Sequence, residues 1–559
     1  MKRILLLLLI VSFSALSEQV EKVEVLKDPG LYQGLIFWSK SNSGIKLSHS
    51  CIQRKNVCVS ARNENVGDYS YFAQKVNASY GDIIHVDFNI KGNDITAGVY
   101  GAGSYIKAYD SLGNVVDTYM SQGERGSFDW KKINYEYIVP RGVKNLTVGF
   151  HVGRGNTGSA IFDNLSVRKY IINNNATSPT NVSRKSANLA LNSENKFFDS
   201  DGYLLKHGKR FFPLGVFVTN SSAADYKIIS KAGFNTILSY SIPSPDKVDD
   251  FFSQTSNNGL YVVFSLKDMY QGMKWAPEFS SDSSKLIDYI DSIKVKDNLL
   301  AWYINDELPV SRISEVKALF STVRGRDLMH PILQVVYRTA IARFFLEYSD
   351  IIAADVYPVG VRKDLSITYE MASELDDMVA ANKHTKTSWF IPQIMDWGVY
   401  REKFAPHPPS YNEMKNQAYQ ALIAGSKGLI FYSYYDLYYS GHPRKNKSDK
   451  VFYSRWNDVV KMIREINAIL PSLLNGHEYV DFKVPYKADT KIAMYLNANV
   501  VTVLLANPFY IQKNIDIVFP DNIDLSSVNA GELQVKVQGN KLSIIAPPLY
   551  SGNFILKFK

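Results

Sequence analysis

The sequence predicts a multidomain protein in which a central (β/α)8 barrel is flanked by an N-terminal and a C-terminal β-sandwich. Three observations support this prediction. Apolar strand-like segments alternate with amphipathic helical segments across residues 196–470. Residues 18–170 and 471–559 instead contain short alternating strands separated by turns. The chain of 559 residues is also far too long for a single hydrophobic core.

The first seventeen residues have the pattern of a secretory signal peptide. Lys2 and Arg3 precede an apolar stretch at residues 4–13, and residues 15–17 form a small-x-small cleavage site. The apolar stretch is too short for a bilayer span, and no later segment reaches about 18 continuous apolar residues. We therefore expect an exported protein, periplasmic or extracellular, without a transmembrane anchor.

Residues 18–170 are expected to form the first β-sandwich. Apolar and polar residues alternate at 83–90, 146–151 and 160–167, with Gly-rich turns between these segments. The only two cysteines, Cys51 and Cys58, lie in this region, and in an oxidising compartment their spacing suits a disulfide across a hairpin. Two free buried thiols are the alternative.

The segment Gly-Ser-Ala-Ile-Phe-Asp-Asn-Leu-Ser-Val at 158–167 follows a Pro-Arg-Gly turn at 140–142. This part of the chain resembles the closing strands of jelly-roll carbohydrate-binding modules with a galactose-binding-like fold. The resemblance extends over the whole first domain and implies glycan binding, although the same fold also has purely structural roles. Residues 171–195 are rich in Asn, Ser and Thr and predict a linker and entry segment.

Eight strand–helix units are expected within residues 196–470. Their number and length are typical of a (β/α)8 barrel. The predicted strands lie at 212–218, 235–240, 260–266, 299–304, 331–337, 350–357, 388–395 and 428–433. A doubly wound open sheet is the alternative, but no Gly-rich phosphate-binding turn follows the first strand.

Composition and motifs exclude several other classes of function. The formal charge of +9 comes from scattered basic residues, so no nucleic-acid-binding stripe is expected. The chain has no HExxH or CxxC motif and its nine His are dispersed, so neither a metal nor another cofactor is expected. A G-x-S-x-G nucleophile elbow is also absent from the sequence. The oligomeric state is not predicted.

Polar and aromatic residues follow the predicted barrel strands at their C-terminal ends, where barrels of this type hold their reactive groups. The fourth strand is the most informative, because its apolar run ends abruptly in Asn305, Asp306 and Glu307. The C-terminal ends of the other strands and the loops beyond them contribute Asp268 and Trp275 at strand three, Asp355 and Tyr357 at strand six, Gln393, Asp396 and Trp397 at strand seven, and Tyr432, Tyr434 and Asp436 at strand eight. Glycosidic cleavage uses a carboxylic acid and usually a second carboxylate, and aromatic rings stack on sugar faces, so this rim suits a carbohydrate substrate.

The sequences Trp-Tyr-Ile-Asn-Asp-Glu-Leu at 302–308, Asp-Val-Tyr-Pro at 355–358, and Tyr-Asn-Glu-Met at 411–414 with Gly-Ser-Lys-Gly-Leu-Ile-Phe-Tyr at 425–432 provide a second resemblance. They resemble the clan of (β/α)8-barrel glycoside hydrolases whose acid/base Glu ends strand four. The resemblance gives Glu307 that role and implies a secreted enzyme that cleaves O-glycosidic bonds of an oligo- or polysaccharide. In that clan a nucleophilic Glu ends strand seven, where this chain has Gln393.

An amide cannot act as a carboxylate nucleophile, so several routes stay open. Asp396 is one possible nucleophile, and Asp355 or Asp436 is a possible activator of water for inversion. Asp306 is a third possibility, because it can orient an acetamido group of the substrate beside Glu307. The remaining alternative is a non-catalytic glycan-binding or cell-surface assembly protein built on a degenerate glycosidase barrel.

Overall fold

The computed structural model describes residues 20–559, except 42–43, 53–56, 97, 99, 173–196, 271–282, 384, 403, 443, 445–446, 485–488 and 532. The predicted signal peptide, nearly all of the predicted linker and Trp275 therefore lie outside the described residues. The chain divides into two compact units, Met1–Ala187 and Asn188–Lys559. No helix among the described residues has the length and apolar character needed to cross a membrane.

The first unit consists of eleven strands, β1 to β11. Their bounds are Val20–Glu24, Ser39–Lys40, Ile45–Ser48, Cys58–Asn63, Ser70–Asn77, Ile83–Ile95, Ala102–Tyr109, Val115–Met120, Gly126–Ile138, Asn145–Val152 and Gly158–Ile172. One antiparallel sheet has the order β3-β4-β11-β6-β9 with β1 added to β11, and the other has the order β2-β5-β10-β7-β8. The domain limits predicted from the sequence stay predictions.

Inward-facing aromatic side chains of both sheets in this unit share one core. Phe72 and Phe150 come from the five-stranded sheet, and Phe88 and Phe162 come from the other sheet. The ring centroids of Phe88 and Phe150 lie 5.1 Å apart, within the range of favourable aromatic pairing. The predicted disulfide between Cys51 and Cys58 is present, with the two Cα atoms 5.7 Å apart.

The second unit contains the predicted barrel. After the hairpin β12 (Leu204–Lys206) and β13 (Lys209–Phe211), eight strands, β14 to β21, close into a parallel barrel. They are Leu214–Val218, Thr236–Ser239, Tyr261–Ser265, Leu299–Asp306, Ile332–Val336, Ile351–Asp355, Thr387–Ile391 and Leu429–Phe431. The eight-strand prediction is confirmed, and the open doubly wound sheet is excluded because β14 pairs with β21.

Helices alternate with the barrel strands. The α-helices α1 to α9 are Ala223–Lys231, Val248–Asn257, Ser283–Ile293, Ile313–Arg326, Thr339–Phe345, Ile367–Val379, Trp397–Tyr400, Tyr411–Ile423 and Asp449–Asn475. Short 3₁₀ helices cover Pro245–Lys247, Val310–Arg312, Leu346–Tyr348, Ala380–Asn382 and Tyr434–Tyr438. Because helices cover the outside of the barrel and side chains fill its inside, the strands are buried on both faces, which explains their continuous apolar sequence.

The last strands, β22 to β29, follow α9. They are His477–Glu478, Lys491–Asn497, Val500–Ala506, Lys513–Val518, Ile523–Asn529, Gln534–Gln538, Lys541–Ala546 and Ser551–Phe558. They form a five-stranded and a three-stranded sheet with a shared apolar core. The amide nitrogen of Asn416 on α8 donates to the carbonyl oxygens of Asn507 and Tyr550, so these sheets are hydrogen-bonded directly to the barrel helices.

Candidate active site

A cavity of about 190 Å³ opens at the C-terminal ends of the barrel strands. One part of its wall is acidic and the rest is aromatic or apolar. The lining residues are Phe217, Tyr240, Asp306, Glu307, Asp355, Tyr357, Met395, Trp397, Tyr400 and Tyr432. The cavity thus brings together the three carboxylates predicted to be catalytic with three of the aromatic residues predicted to bind substrate.

The end of β17 sets the direction of the first two carboxylates. The backbone of Glu307 has a φ of +57°, a left-handed conformation that costs a non-glycine residue about 1–2 kcal/mol. Asn305 secures this turn, since its amide nitrogen donates to Gln334 and its oxygen accepts from the backbone of Leu308. Asn305 is fully buried and does not line the cavity. The contacts of Asn305 therefore stabilise the end of the strand, where the side chains of Asp306 and Glu307 point in different directions.

Glu307 and Asp355 form a hydrogen-bonded pair of carboxyl groups. Loss of hydration raises the pKa of Asp355 well above its ordinary value, and the charge of Glu307 and the hydrogen bond to Glu307 add to this effect. Loss of hydration also raises the pKa of Glu307, although the hydrogen bond from Asp355 opposes this rise. The interaction between the two side chains therefore favours protonation of Asp355 more than protonation of Glu307.

The two members of the pair differ in access to solvent. Asp355 is buried, with its Oδ2 accepting from the hydroxyl of Tyr357 at 3.2 Å. The Glu307 residue is exposed as a whole, but surrounding protein atoms still remove enough water from its carboxyl to raise the pKa. Glu307 is consequently the member that can meet a ligand, while Asp355 lies behind it.

Asp306 has a different environment. Its Oδ2 accepts from the Tyr240 hydroxyl at 2.9 Å and lies 3.6 Å from the Lys267 ammonium group, and its Oδ1 accepts from the Tyr303 hydroxyl. Lys267 also bonds Asp268, at 3.1 Å to each carboxylate oxygen. These contacts fix the orientation of the Asp306 carboxyl group. Asp268 itself does not line the cavity.

The side chain of Gln393 points away from the cavity. Its oxygen accepts from the backbone N–H of Val359 at 2.9 Å, and its amide donates to the carbonyl oxygens of Val359 and Met395 at 3.2 and 3.0 Å. Gln393 is fully buried and joins the loops that follow strands β19 and β20. Strand seven therefore presents Met395 and Trp397 to the cavity, not the residue expected from the resemblance.

The two other candidate carboxylates are occupied by structural contacts. Asp396 is the N-cap of α7, and its Oδ1 accepts from the backbone N–H groups of Gly398 and His407, both at 2.9 Å. Asp436 accepts from the Tyr400 hydroxyl and the Arg444 guanidinium, both at 2.6 Å. Both carboxylates are fully buried and neither lines the cavity. Asp436 acts on the cavity only by fixing Tyr400.

Aromatic rings form the remaining wall. Tyr357 and Tyr432 stack at 5.4 Å between ring centroids, and Trp397 lies edge-on to Tyr357 with its indole N–H donating to the Tyr357 carbonyl at 2.9 Å. Tyr434, in contrast, packs 5.3 Å from Trp456 of α9 and donates to Asp225, outside the cavity. The structure therefore brings Tyr357, Trp397 and Tyr432 to the site and leaves Tyr434 in the helical layer.

Five residues of the site were not selected from the sequence. Phe217, Tyr240, Met395 and Tyr400 line the cavity, and Lys267 supports Asp306 from beside it. Phe217 and Tyr240 lie at the C-terminal ends of strands one and two, and this position in the sequence is the signal that identifies them. Among the described residues, no group of three or more His, Cys, Asp or Glu is placed to hold a metal ion.

Comparisons with known proteins were made for the whole chain. No protein-family model matches it, and no curated protein matches it. Among solved structures, a glycoside hydrolase family 5 protein from Bacteroides vulgatus is similar over 65% of this chain and 93% of its own, at 13% identity and a TM-score of 0.46. An Anoxybacillus alpha-amylase is similar over 60% of this chain and 90% of its own, at 13% identity and a TM-score of 0.41.

A tailspike protein of bacteriophage CBA120 is also similar, at 16% identity and a TM-score of 0.22. The similarity covers 26% of this chain and spans 21% of the length of the tailspike chain.

Proposed function

We propose that the protein is a glycoside hydrolase that cleaves O-glycosidic bonds of an oligo- or polysaccharide, with Glu307 as the general acid and base. The observation that carries this proposal is the pair of carboxyl side chains, Glu307 and Asp355, that lines an aromatic cavity at the C-terminal ends of the barrel strands. Cleavage requires protonation of the leaving oxygen, and a carboxyl group with a raised pKa keeps a proton available near neutrality.

We assign roles to the carboxyl groups from their interactions. Glu307 and Asp355 interact so closely that each changes the pKa of the other. We therefore treat Glu307 and Asp355 as one proton-transfer unit. Asp355 passes a proton to Glu307, and Glu307 delivers it to the glycosidic oxygen. Asp306 is then the separate charged carboxylate of the cavity.

The aromatic wall gives the sugar its binding surface. The apolar face of a pyranose ring packs on aromatic rings, and Trp397, Tyr357 and Tyr432 provide such rings beside the acidic pair. We assign substrate binding to these three residues and to Tyr400. The cavity volume of about 190 Å³ suits a single sugar unit better than a long segment of polysaccharide.

We extend the proposal to the other parts of the chain. The exported location is supported by the disulfide Cys51–Cys58, which is stable in an oxidising compartment. The two facing antiparallel sheets of the first unit support the jelly-roll assignment of residues 18–170, with glycan binding as its role. The eight strands after α9 support a C-terminal β-sandwich at 471–559.

Replacement of the proton donor tests the hydrolase proposal. Glu307→Gln should lower hydrolysis of chromogenic glycosides by about 10²–10⁴-fold, because an amide cannot transfer the proton. Glycan binding, measured by isothermal titration calorimetry, should persist. Glu370→Gln on the exposed face of α6 is the matched control and should keep wild-type turnover.

A second candidate function is glycan binding without hydrolysis. It is favoured by the burial of Gln393, which leaves Met395 and Trp397 as the contribution of strand seven to the cavity. If the wild-type protein hydrolyses no member of a broad panel of glycosides and polysaccharides but still binds glycan, this second function is correct and the hydrolase proposal is wrong.

A further inference from the structure

We propose that the sugar unit in the cavity carries an acetamido group at C2, and that the carbonyl oxygen of this group is the nucleophile of the reaction. The inference rests on the proposed hydrolase function and specifies its substrate class. Two features of the site carry it: an apolar wall where strand seven meets the cavity, and a charged carboxylate, Asp306, held beside the acid pair.

The apolar wall suits the methyl group of an acetamide. Strands four and seven lie three strands apart in the eight-stranded barrel, so Met395 and Trp397 face the cavity from a different side than Glu307. Phe217 and Tyr432 continue this surface, with their ring centroids 5.1 Å apart. A methyl group packed there leaves water, and this burial favours binding of an acetamido group.

Asp306 is prepared to accept the amide N–H. A carboxylate has about four lone-pair sites, and the hydroxyls of Tyr240 and Tyr303 account for two of them. The Asp306 side chain is 25% exposed, so it can still be reached from the cavity. The tyrosine hydroxyls hold its orientation, and the ammonium group of Lys267 lies 3.6 Å from its Oδ2. Such a carboxylate orients the acetamide and stabilises positive charge that develops on its nitrogen.

The proposed reaction has two steps. In the first, the acetamido carbonyl oxygen attacks C1, the bond from C1 to the leaving oxygen breaks, and this oxygen takes the proton of Glu307. The amide nitrogen becomes part of a cationic oxazolinium ring whose N–H faces Asp306. In the second, water attacks C1 and gives a proton to the Glu307–Asp355 pair, and the ring opens to restore the acetamide. Two inversions at C1 give net retention.

Matched pairs of substrates test the inference. The kcat/KM should be at least about 100-fold higher for 4-nitrophenyl N-acetylhexosaminides than for the corresponding 4-nitrophenyl hexosides, with both anomers and both gluco and galacto series included. Trifluoroacetamido substrates should react more slowly, since fluorine withdraws electrons from the attacking oxygen. A thiazoline analogue of the cyclic intermediate should inhibit competitively.

Substitution of Asp306 gives a second, independent readout. Asp306→Asn should lower kcat for the N-acetylhexosaminides by about 10²–10³-fold, because the charged partner of the N–H is lost. Asp288→Asn on the exposed side of α3 is the matched control and should leave kcat unchanged. Proton NMR of the first product should show the anomer of the substrate.

The outcomes separate this inference from the function on which it rests. Equal rates for acetamido and hydroxyl substrates, without inhibition by the thiazoline, would overturn the substrate-assisted route while the hydrolase proposal stands. Inversion of the anomer would also overturn the route. If the wild-type protein cleaves no glycoside of either kind, the hydrolase proposal fails first.

Discussion

Replacement of Gln393 by Glu tests whether a carboxylate at this position of strand seven can act as a nucleophile in the cavity. Judged by sequence position, Gln393→Glu restores the strand-seven carboxylate of the glycosidases that this chain resembles. If the missing carboxylate limits the activity, the variant should be more active than the wild-type protein. In the structure the side chain is fully buried and bonded to Val359 and Met395 instead. We therefore expect the variant to lose stability and gain no activity.

The size of the loss follows from the three hydrogen bonds of the amide. A protonated Glu can keep the bond from the Val359 N–H and donate to one carbonyl, so one bond worth about 1 kcal/mol is lost. Keeping a carboxyl of ordinary pKa near 4.3 protonated at pH 7 costs about 1.4 kcal/mol per pKa unit, or about 3.7 kcal/mol. The free energy of unfolding should therefore fall by about 5 kcal/mol at pH 7.

The same calculation predicts a pH dependence. The folded-state pKa of Glu at position 393 would be raised, so its protonated form is the stable one and stability is lost as pH rises above about 4.3. Urea unfolding followed by far-UV circular dichroism at pH 4.3 and pH 7 measures the effect, and the loss at pH 4.3 should be only about 1–1.5 kcal/mol. Gln538→Glu on an exposed position of β27 is the matched control.

Two results would refute this reasoning. A Gln393→Glu variant with wild-type stability at pH 7 would mean that the side chain is free to turn towards solvent. Stimulated hydrolysis by the variant would mean that position 393 reaches the substrate, and the orientation described for Gln393 would be wrong.

Three further predictions concern stability. Removal of the disulfide by Cys51→Ser with Cys58→Ser should lower the free energy of unfolding by about 2 kcal/mol, because the unfolded chain gains entropy when a loop with a sequence separation of 7 is opened. Calorimetry should show a lower Tm for the variant under oxidising conditions and the same Tm as wild type under reducing conditions. Burial lowers the pKa of His151 to about 4, so the first unit should lose up to about 3 kcal/mol as pH falls from 6.5 to 4, and His151→Asn should flatten this dependence. The pKa of Asp355 is raised, so wild-type stability should fall as pH rises above the ordinary Asp range, and Asp355→Asn should reduce that fall in urea unfolding.

The barrel could be predicted because its strands are buried on both faces and therefore carry unbroken apolar sequence. The run from Leu299 to Ile304 is such a case, and every residue of it is buried in the structure. Strand ends were harder to place. Asp306 still belongs to β17, two residues beyond the predicted end of the strand. The pairing with β18 continues there, because Asn305 pairs with Gln334 and Asp306 pairs with Val335.

The direction of side chains beyond the strand ends could not be predicted from the sequence. Asp355 is the last residue of strand six and lines the cavity, whereas Gln393 and Asp396 lie shortly beyond the end of strand seven and do not line it. The backbone groups of Val359 bind the Gln393 amide, and the N–H groups of Gly398 and His407 bind Asp396. The Gly398 contact is a local N-cap, but Val359 lies 34 residues from Gln393 and His407 lies 11 residues from Asp396, so no local pattern reveals these two partners.

The positions of the carboxylates give a physical reason why this site does not need a carboxylate on strand seven. A charged nucleophile in the cavity would face Asp306 and Glu307, and the pKa of Glu307 is already raised by burial and by the charge of Asp306. A further negative charge would raise these pKa values again or require a new cation beside Lys267. A neutral nucleophile supplied by the substrate avoids that repulsion, and the positive charge formed on it is attracted to Asp306. The electrostatics of the cavity therefore favour a nucleophile that arrives uncharged.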